Sequence, residues 1–187
     1  MLAHRTRRAA AVLATLAVLS GCDSNPSPAP LPSESPSPSS SSPSPTATPP
    51  TLPAAAKGTS EASAKAFVRH WVATLNYAGE TGDTTTLRLA SDKDCTSCQG
   101  VISKIDDVYS ADGYFKGDGW SIATMKYQPL QPPKRPVLTV GVNIASQTVV
   151  ERAGAEPTGF DGGKRSMTFR LAFSDRDWRV MQLDQPQ

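Results

Sequence analysis

Residues 60–82, SEASAKAFVRHWVATLNYAGETG, contain a long helical pattern that decides the fold. Apolar side chains recur every three or four residues, which places them on one face of an α-helix. Ser60 suits the N-cap position and Glu61 suits the positive end of the helix dipole. Gly79 and Gly82 are expected to end the helix. The apolar face consists of Ala64, Phe67, Val68, Trp71, Val72, Leu75 and Ala78.

Two shorter helices are predicted immediately after this stretch. Asp83 is a suitable cap for residues 84–90, and residues 96–110 carry a second apolar face. The second face consists of Cys98, Val101, Ile102, Ile105, Val108 and Tyr109.

Strands are predicted in the remainder of the chain. Apolar and polar residues alternate there, as in half-buried β-strands. Residues 174–177, Ser-Asp-Arg-Asp, predict a hairpin turn, and residues 131–133 and 153–163 predict loops. The four predicted strands are residues 120–128, 138–145, 167–173 and 178–183. Helices followed by strands indicate an α+β fold, a long N-terminal amphipathic helix plus short helices packed on a curved antiparallel sheet of about four strands.

The N-terminal residues 1–21 have the parts of an export signal. A basic stretch with Arg5, Arg7 and Arg8 precedes a short apolar run and two small residues. The run is about half the roughly 20 residues that a membrane-spanning helix needs. The sequence Leu19-Ser20-Gly21-Cys22 resembles the lipobox of bacterial lipoproteins. That resemblance implies a diacylglycerol on the Cys22 thiol and cleavage just before it, whereas the alternative is an ordinary secreted protein.

Residues 22–57 are predicted to be the lipidated N-terminus and a disordered stalk. Residues 23–53 contain 11 of the 17 prolines and 10 serines. Such a composition buries too little apolar surface to offset the entropy of ordering. We therefore expect a tether that holds a globular domain, residues 58–187, away from a membrane.

Several segments of that domain resemble an uncharacterised domain family of actinobacterial lipoproteins. The resemblance lies in residues 66–76, Gly82-Asp83, residues 94–100 and Trp120. It implies no activity. The order of elements also resembles the cone-like, cystatin-like fold of the nuclear-transport-factor-two-like (SnoaL-like) superfamily, and fold alone does not decide function.

Charge argues against nucleic acid as a partner. The formal charge of the chain is only +2, whereas nucleic-acid binding calls for a strongly basic patch. Removal of the three arginines of the leader brings the mature chain close to neutrality.

Cys95 and Cys98 form a Cys-Thr-Ser-Cys motif. With Cys22 lipidated, they would be the two remaining cysteines in an oxidising compartment, which favours a structural disulfide. A redox dithiol is the alternative, because a helix N-terminus lowers the pKa of a thiol. A zinc site is disfavoured because it needs four ligands. No metal or cofactor is predicted.

His70 is the sole histidine of the predicted domain and is the candidate acid or base near neutral pH. It lies beside the apolar face of the first helix, next to Trp71 and two turns before Tyr77, so these three residues are the candidate pocket. Asp106 and Asp107 lie on the polar side of the third helix, where a solvated face explains them. We assign no catalytic residue.

Three hypotheses follow. The leading one is a non-catalytic binding or interaction domain, lipid-anchored at the outer face of the cytoplasmic membrane, with an envelope protein or small apolar ligand as partner. The second is a SnoaL-like enzyme that uses His70 or a pocket carboxylate. The third is thiol-disulfide exchange through Cys95 and Cys98.

Overall fold

A computed structural model describes residues 47–185. They form three α-helices followed by strands in two sheets. The helices are α1 (Glu61–Thr81), α2 (Thr85–Ala90) and α3 (Thr96–Ser110). The strands are β1 (Tyr114–Lys116), β2 (Trp120–Tyr127), β3 (Val137–Ile144), β4 (Gln147–Val150), β5 (Thr158–Phe160), β6 (Gly163–Ser174) and β7 (Asp177–Asp184). The predicted α+β class is therefore confirmed.

The caps of α1 are formed by the residues at its two ends. The Ser60 side chain accepts a hydrogen bond from the Ser63 backbone N–H, which satisfies a free donor of the first turn. At the other end Gly82 adopts φ +78°, and its N–H donates to the Ala78 carbonyl. Gly79, which the sequence suggested as a helix terminator, lies inside α1 instead.

The larger sheet has the strand order β2-β3-β6-β7, and all of its neighbours are antiparallel. Asp175 and Arg176 both have positive φ, which gives the β6–β7 hairpin the tight two-residue turn that its twist favours. Register shifts interrupt the β2–β3 and β6–β7 pairs. Bulges of this kind bend strands and increase twist, so they curve the sheet.

The smaller sheet, of order β1-β4-β5, was not predicted. β5 lies within residues 153–163, so the prediction of an uninterrupted loop there is wrong. Thr158, Gly159 and Phe160 pair with Val149, Thr148 and Gln147 of β4. A three-residue strand is made by its partner rather than by its own propensity, so local composition does not reveal it.

The main core lies between α1 and the larger sheet. Trp71 is fully buried, its ring meets Phe169 edge to face at 5.4 Å, and its Nε1 donates to Ser91 Oγ at 2.9 Å. The inward residues of β3 complete this layer: Leu138, Val140 and Val142. Their outward neighbours Thr139, Gly141 and Asn143 are polar or small, as period-two alternation requires.

The folded unit extends N-terminal to the predicted boundary at residue 58. Ala54–Ala56 form a 3-10 turn, and Ala56 is buried within the core cluster. Three consecutive alanines make this turn compact enough to pack against α1, which the proline-rich context did not suggest. In the part of the chain between residues 47 and 185, no helix combines the length and apolarity that a membrane span needs.

Candidate functional site

A cleft of about 880 Å³ opens between the C-terminal half of α1, the N-terminal half of α3 and the turn that joins β1 to β2. It lies beside the main core rather than within it. Its volume falls within the range of about 300–1,000 Å³ that is usual for small-molecule sites. The cleft is therefore the main candidate site among residues 47–185.

Apolar side chains form the floor and the inner walls of the cleft. Leu75 and Ile105 are almost fully buried, whereas Val101, Phe115 and Trp120 are half-buried at its sides. The Phe115 ring also stacks on Tyr109, with ring centroids 6.2 Å apart. One aromatic wall is thereby fixed by a second aromatic ring behind it.

Three polar groups that line or border the cleft are already hydrogen-bonded within the protein. The Asn76 amide donates to the Trp120 carbonyl and accepts from the Trp120 N–H, both at 2.8 Å. Tyr109 donates to the Gly79 carbonyl at 2.7 Å, and Ser97 Oγ donates to the Leu183 carbonyl at 2.6 Å. Partial burial raises the pKa of Tyr109, which keeps its phenol in the donating form. These groups build the cleft and do not need a ligand to satisfy them.

Charged side chains occupy the exposed rim. Lys104 donates to Glu151 at 2.6 Å, and this contact lowers the pKa of the Glu151 carboxyl. None of the ion pairs formed within residues 47–185 involves Glu80, Lys116 or Asp118. The rim thus presents both signs of charge above an apolar floor.

Two helical glycines line the cleft from opposite walls, Gly79 on α1 and Gly100 on α3. A Cβ added at either position would meet no atom within 4 Å. Packing does not require glycine at these positions, yet glycine in a helix interior is about 1 kcal/mol less favourable than alanine. The two glycines leave open space at a cost to helix stability.

The residues proposed from sequence as one pocket, His70, Trp71 and Tyr77, are not brought together, and this part of the prediction is corrected. Trp71 is in the core, and Tyr77 donates to Asp83 Oδ2 at 3.3 Å. His70 lies in a shallow groove on the outer side of α1, which Pro50, Pro53 and their neighbours border. Trp71 points about 100° away from His70 around the helix, and Tyr77 lies on nearly the same face as His70 but about 10 Å further along the axis.

Burial lowers the pKa of His70, because it disfavours the charged imidazolium. The ring centroids of Phe67 and His70 lie 6.4 Å apart, and Arg69 borders the same groove. The groove is apart from the cleft, so His70 cannot act on a molecule bound there.

Cys95 and Cys98 form a disulfide at the start of α3. Both residues are buried, with 1% and 0% of their surface exposed. Ser97 and Gln99 beside them hydrogen-bond to the Leu183 and Asp92 carbonyls. The disulfide fixes the first turn of α3, and the Ser97 hydrogen bond holds that turn next to β7. Burial of both sulfurs argues against thiol exchange, which needs an accessible sulfur.

The sequence suggests only a solvated position for Asp106, but its carboxylate has partners within the protein. Its carboxylate accepts from Thr84 Oγ1 at 2.8 Å and pairs with Arg88, which joins α3 to α2. No group of three or more His, Cys, Asp or Glu side chains within residues 47–185 is arranged to hold a metal ion. Cys22, the predicted lipidation site, lies outside the described residues.

One protein-family model matches most of the chain. The model of a family described as "Family of unknown function (DUF6318)" matches residues 37–184. The chain belongs to this DUF6318 family. The match includes every element of α1 to β7 and thus the whole cleft. No curated protein matches the chain.

Solved structures similar to this DUF6318 protein share little sequence with it. The intermembrane space region of the chloroplast protein ARC6 has a TM-score of 0.49 at 10% identity, covering 65% of this chain and 92% of its own. A cystatin-like protein of unknown function from Nostoc punctiforme has a TM-score of 0.39 at 10% identity, covering 65% and 88%. An NTF2-like protein of unknown function from Shewanella baltica has 0.38 at 13%, covering 70% and 99%.

The sequence does not predict the cleft, because the walls of the cleft come from four separate segments. Two local signals pointed to it. Gly100 interrupts an otherwise helical pattern without a turn, and Gly117-Asp118-Gly119 separates two aromatic residues, Phe115 and Trp120. An isolated helical glycine often has a packing or functional reason.

Proposed function

We propose that this protein is a lipid-anchored, non-catalytic binding module at the outer face of the cytoplasmic membrane, and that it takes a small ligand into the cleft between α1 and α3. The observation that carries the proposal is the open cleft of about 880 Å³ beside a filled core. Clefts of this size that are lined mainly by apolar side chains are usual for small-molecule ligands.

The chemistry of the cleft supports binding rather than catalysis. Its floor is aliphatic, and the Asn76, Ser97 and Gly79 groups around it are engaged with the protein itself. A general acid or base must reach the proton that it transfers. The charged side chains lie on the exposed rim, and His70 lies outside the cleft.

The anchor is supported by the order of residues before the domain. A basic stretch, an apolar run and Leu19-Ser20-Gly21-Cys22 precede a proline- and serine-rich segment. Two acyl chains suffice for stable membrane attachment, whereas one is marginal. An extended segment of this length would reach roughly 100 Å from the anchor at about 3.1 Å per residue.

The anchor is tested by Cys22→Ala in the full chain, with Ser24→Ala as the matched control. The wild type and Ser24→Ala should incorporate a labelled fatty acid and sediment with membranes. Cys22→Ala should not be labelled, and it should be released or stay unprocessed. A processed Cys22→Ala chain that still sediments with membranes would contradict the anchor.

Ligand binding is tested by isolating the full chain from its own membranes and identifying co-purified small molecules by mass spectrometry. Gly100→Leu fills the cleft, and Ser103→Leu adds the same side chain to an exposed position of α3 outside the cleft. A molecule present with the wild type and Ser103→Leu but lost with Gly100→Leu supports the proposal. Co-purification that is the same in all three chains contradicts it.

A further inference from the structure

The cleft has the features of a site for an aliphatic chain. Leu75 and Ile105 form its buried floor, and Val101, Phe115 and Trp120 flank it. A sugar or a nucleotide would need free donors and acceptors at depth to replace the hydrogen bonds that it loses to water. The Asn76 amide, which faces the cleft, already uses one N–H and its carbonyl oxygen in hydrogen bonds with the Trp120 backbone, which leaves little of it for a polar ligand.

The opposed glycines widen the same space. At Gly79 and Gly100, a methyl group would fit without touching the protein. Both positions would therefore accept alanine as far as the fold is concerned. The open volume beside the two glycines therefore favours a ligand that is bulky along its whole length.

The charged side chains of the rim restrict which polar head group the ligand can carry. Lys116 ends β1, Asp118 lies on the turn between β1 and β2, and Glu80 faces the cleft from α1. Lys104, the other rim cation, is engaged with Glu151. A simple carboxylate would meet two acidic side chains, whereas a head group that carries both charges can oppose Lys116 and the acids together.

We infer that the cleft holds the acyl chain of a single-chain zwitterionic lipid of the lysophosphatidylethanolamine type, with its head group at the rim formed by Lys116, Asp118 and Glu80. This inference rests on the proposed function, because a lipid anchor and a tether of at most roughly 100 Å would keep the cleft within reach of a membrane that supplies such lipids. The acyl chain lies on the aliphatic floor, and the phosphate and ammonium groups lie in water at the rim.

The test uses the full chain in membranes and a lysophosphatidylethanolamine probe with a photoreactive, clickable acyl chain. After illumination, mass spectrometry of the digested protein maps the labelled residues. Labels should concentrate in peptides that contain residues of the cleft wall, such as Val101 and Phe115. Gly100→Leu should lower labelling by about tenfold, and Ser103→Leu should leave it unchanged.

A fatty acid probe with the same photoreactive chain tests the head group. The zwitterionic probe should label the cleft several-fold more strongly, and the double variant Glu80→Gln with Asp118→Asn should reduce that preference. Equal or stronger labelling by the fatty acid overturns the assignment of the head group. Labelling outside the cleft, or labelling that Gly100→Leu leaves unchanged, overturns the inference as a whole.

Failure of this inference can be told apart from failure of the proposed function. A non-lipid molecule that co-purifies with the wild type and is lost with Gly100→Leu would overturn the lipid assignment and support the binding module. If neither probe nor any co-purified molecule depends on Gly100, both fail.

Discussion

The two sides of α1 differ in how the space beside them is filled. On the sheet side, Trp71 and Phe169 are fully buried in edge-to-face contact, and large side chains fill the interior. Toward α3, the same helix presents Gly79, opposite Gly100, and the space stays open. One helix thus supports a packed core and a cleft, and the difference arises from side-chain size at a few positions.

The core side of the comparison is tested by Trp71→Ala, for which we expect the largest effect. Removal of a fully buried indole should lower the free energy of unfolding by about 3–5 kcal/mol and leave Ser91 without its donor. Chemical denaturation followed by circular dichroism measures the loss. Trp71→Phe, which keeps most of the volume, should lose clearly less, and equal losses would contradict a packing role.

The end of α1 is tested by Gly82→Ala. Gly82 has φ +78°, and an added Cβ would overlap the Tyr109 ring, so Tyr109 would shift and weaken its bond to the Gly79 carbonyl. We expect a loss of about 2–3 kcal/mol, from left-handed strain and the disturbed ring together. Unfolding curves that match the wild type would show that Tyr109 does not constrain this end of the cleft.

The wall formed by α3 is tested by replacing both disulfide cysteines, Cys95→Ala with Cys98→Ala. A disulfide that closes so short a loop stabilises by about 2 kcal/mol in the chain-entropy model. The double variant should lose that amount, and amide exchange should accelerate first in the turns of α3 beside β7. Faster exchange confined to α1 would contradict the fixing role assigned to the disulfide.

Substitution of His70 tests a position outside both the core and the cleft, and its effect on stability should be the smallest. Burial lowers its folded-state pKa below the ordinary 6.5. Its contribution to stability is therefore complete above about pH 6.5 and is lost as pH falls toward the folded pKa. The wild type should lose slightly more stability than His70→Gln between neutral and mildly acidic pH. Parallel pH profiles would contradict the burial of His70.

The elements of the fold with regular periodicity could be predicted from the sequence. The spacing of Phe67, Trp71 and Leu75 predicts α1, and alternation predicts β3, β6 and β7, because one face of each element must be buried. β1, β4 and β5 could not be predicted, since each is short and depends on a partner distant in sequence.

The cleft could not be predicted for a related reason. Asn76 and Trp120 are 44 residues apart and meet only in the folded chain. His70 could be singled out from the sequence because the chemistry of a histidine is evident from its residue type alone. The role of Gly100 depends instead on the open space beside it in the folded protein. A reactive side chain is visible in the sequence, whereas open space between side chains exists only in the folded protein.

The central claim is that the cleft is kept open for a ligand at a cost to stability, and Gly100→Ala in the full chain tests it most directly. Alanine should raise the free energy of unfolding by up to about 1 kcal/mol and the melting temperature by about 3 °C, because the helix gains and no contact is strained. The same change should weaken labelling by the lipid probe, measured on the same preparation. Opposite signs for stability and labelling are the predicted result, and a chain that is more stable with undiminished labelling would contradict the account.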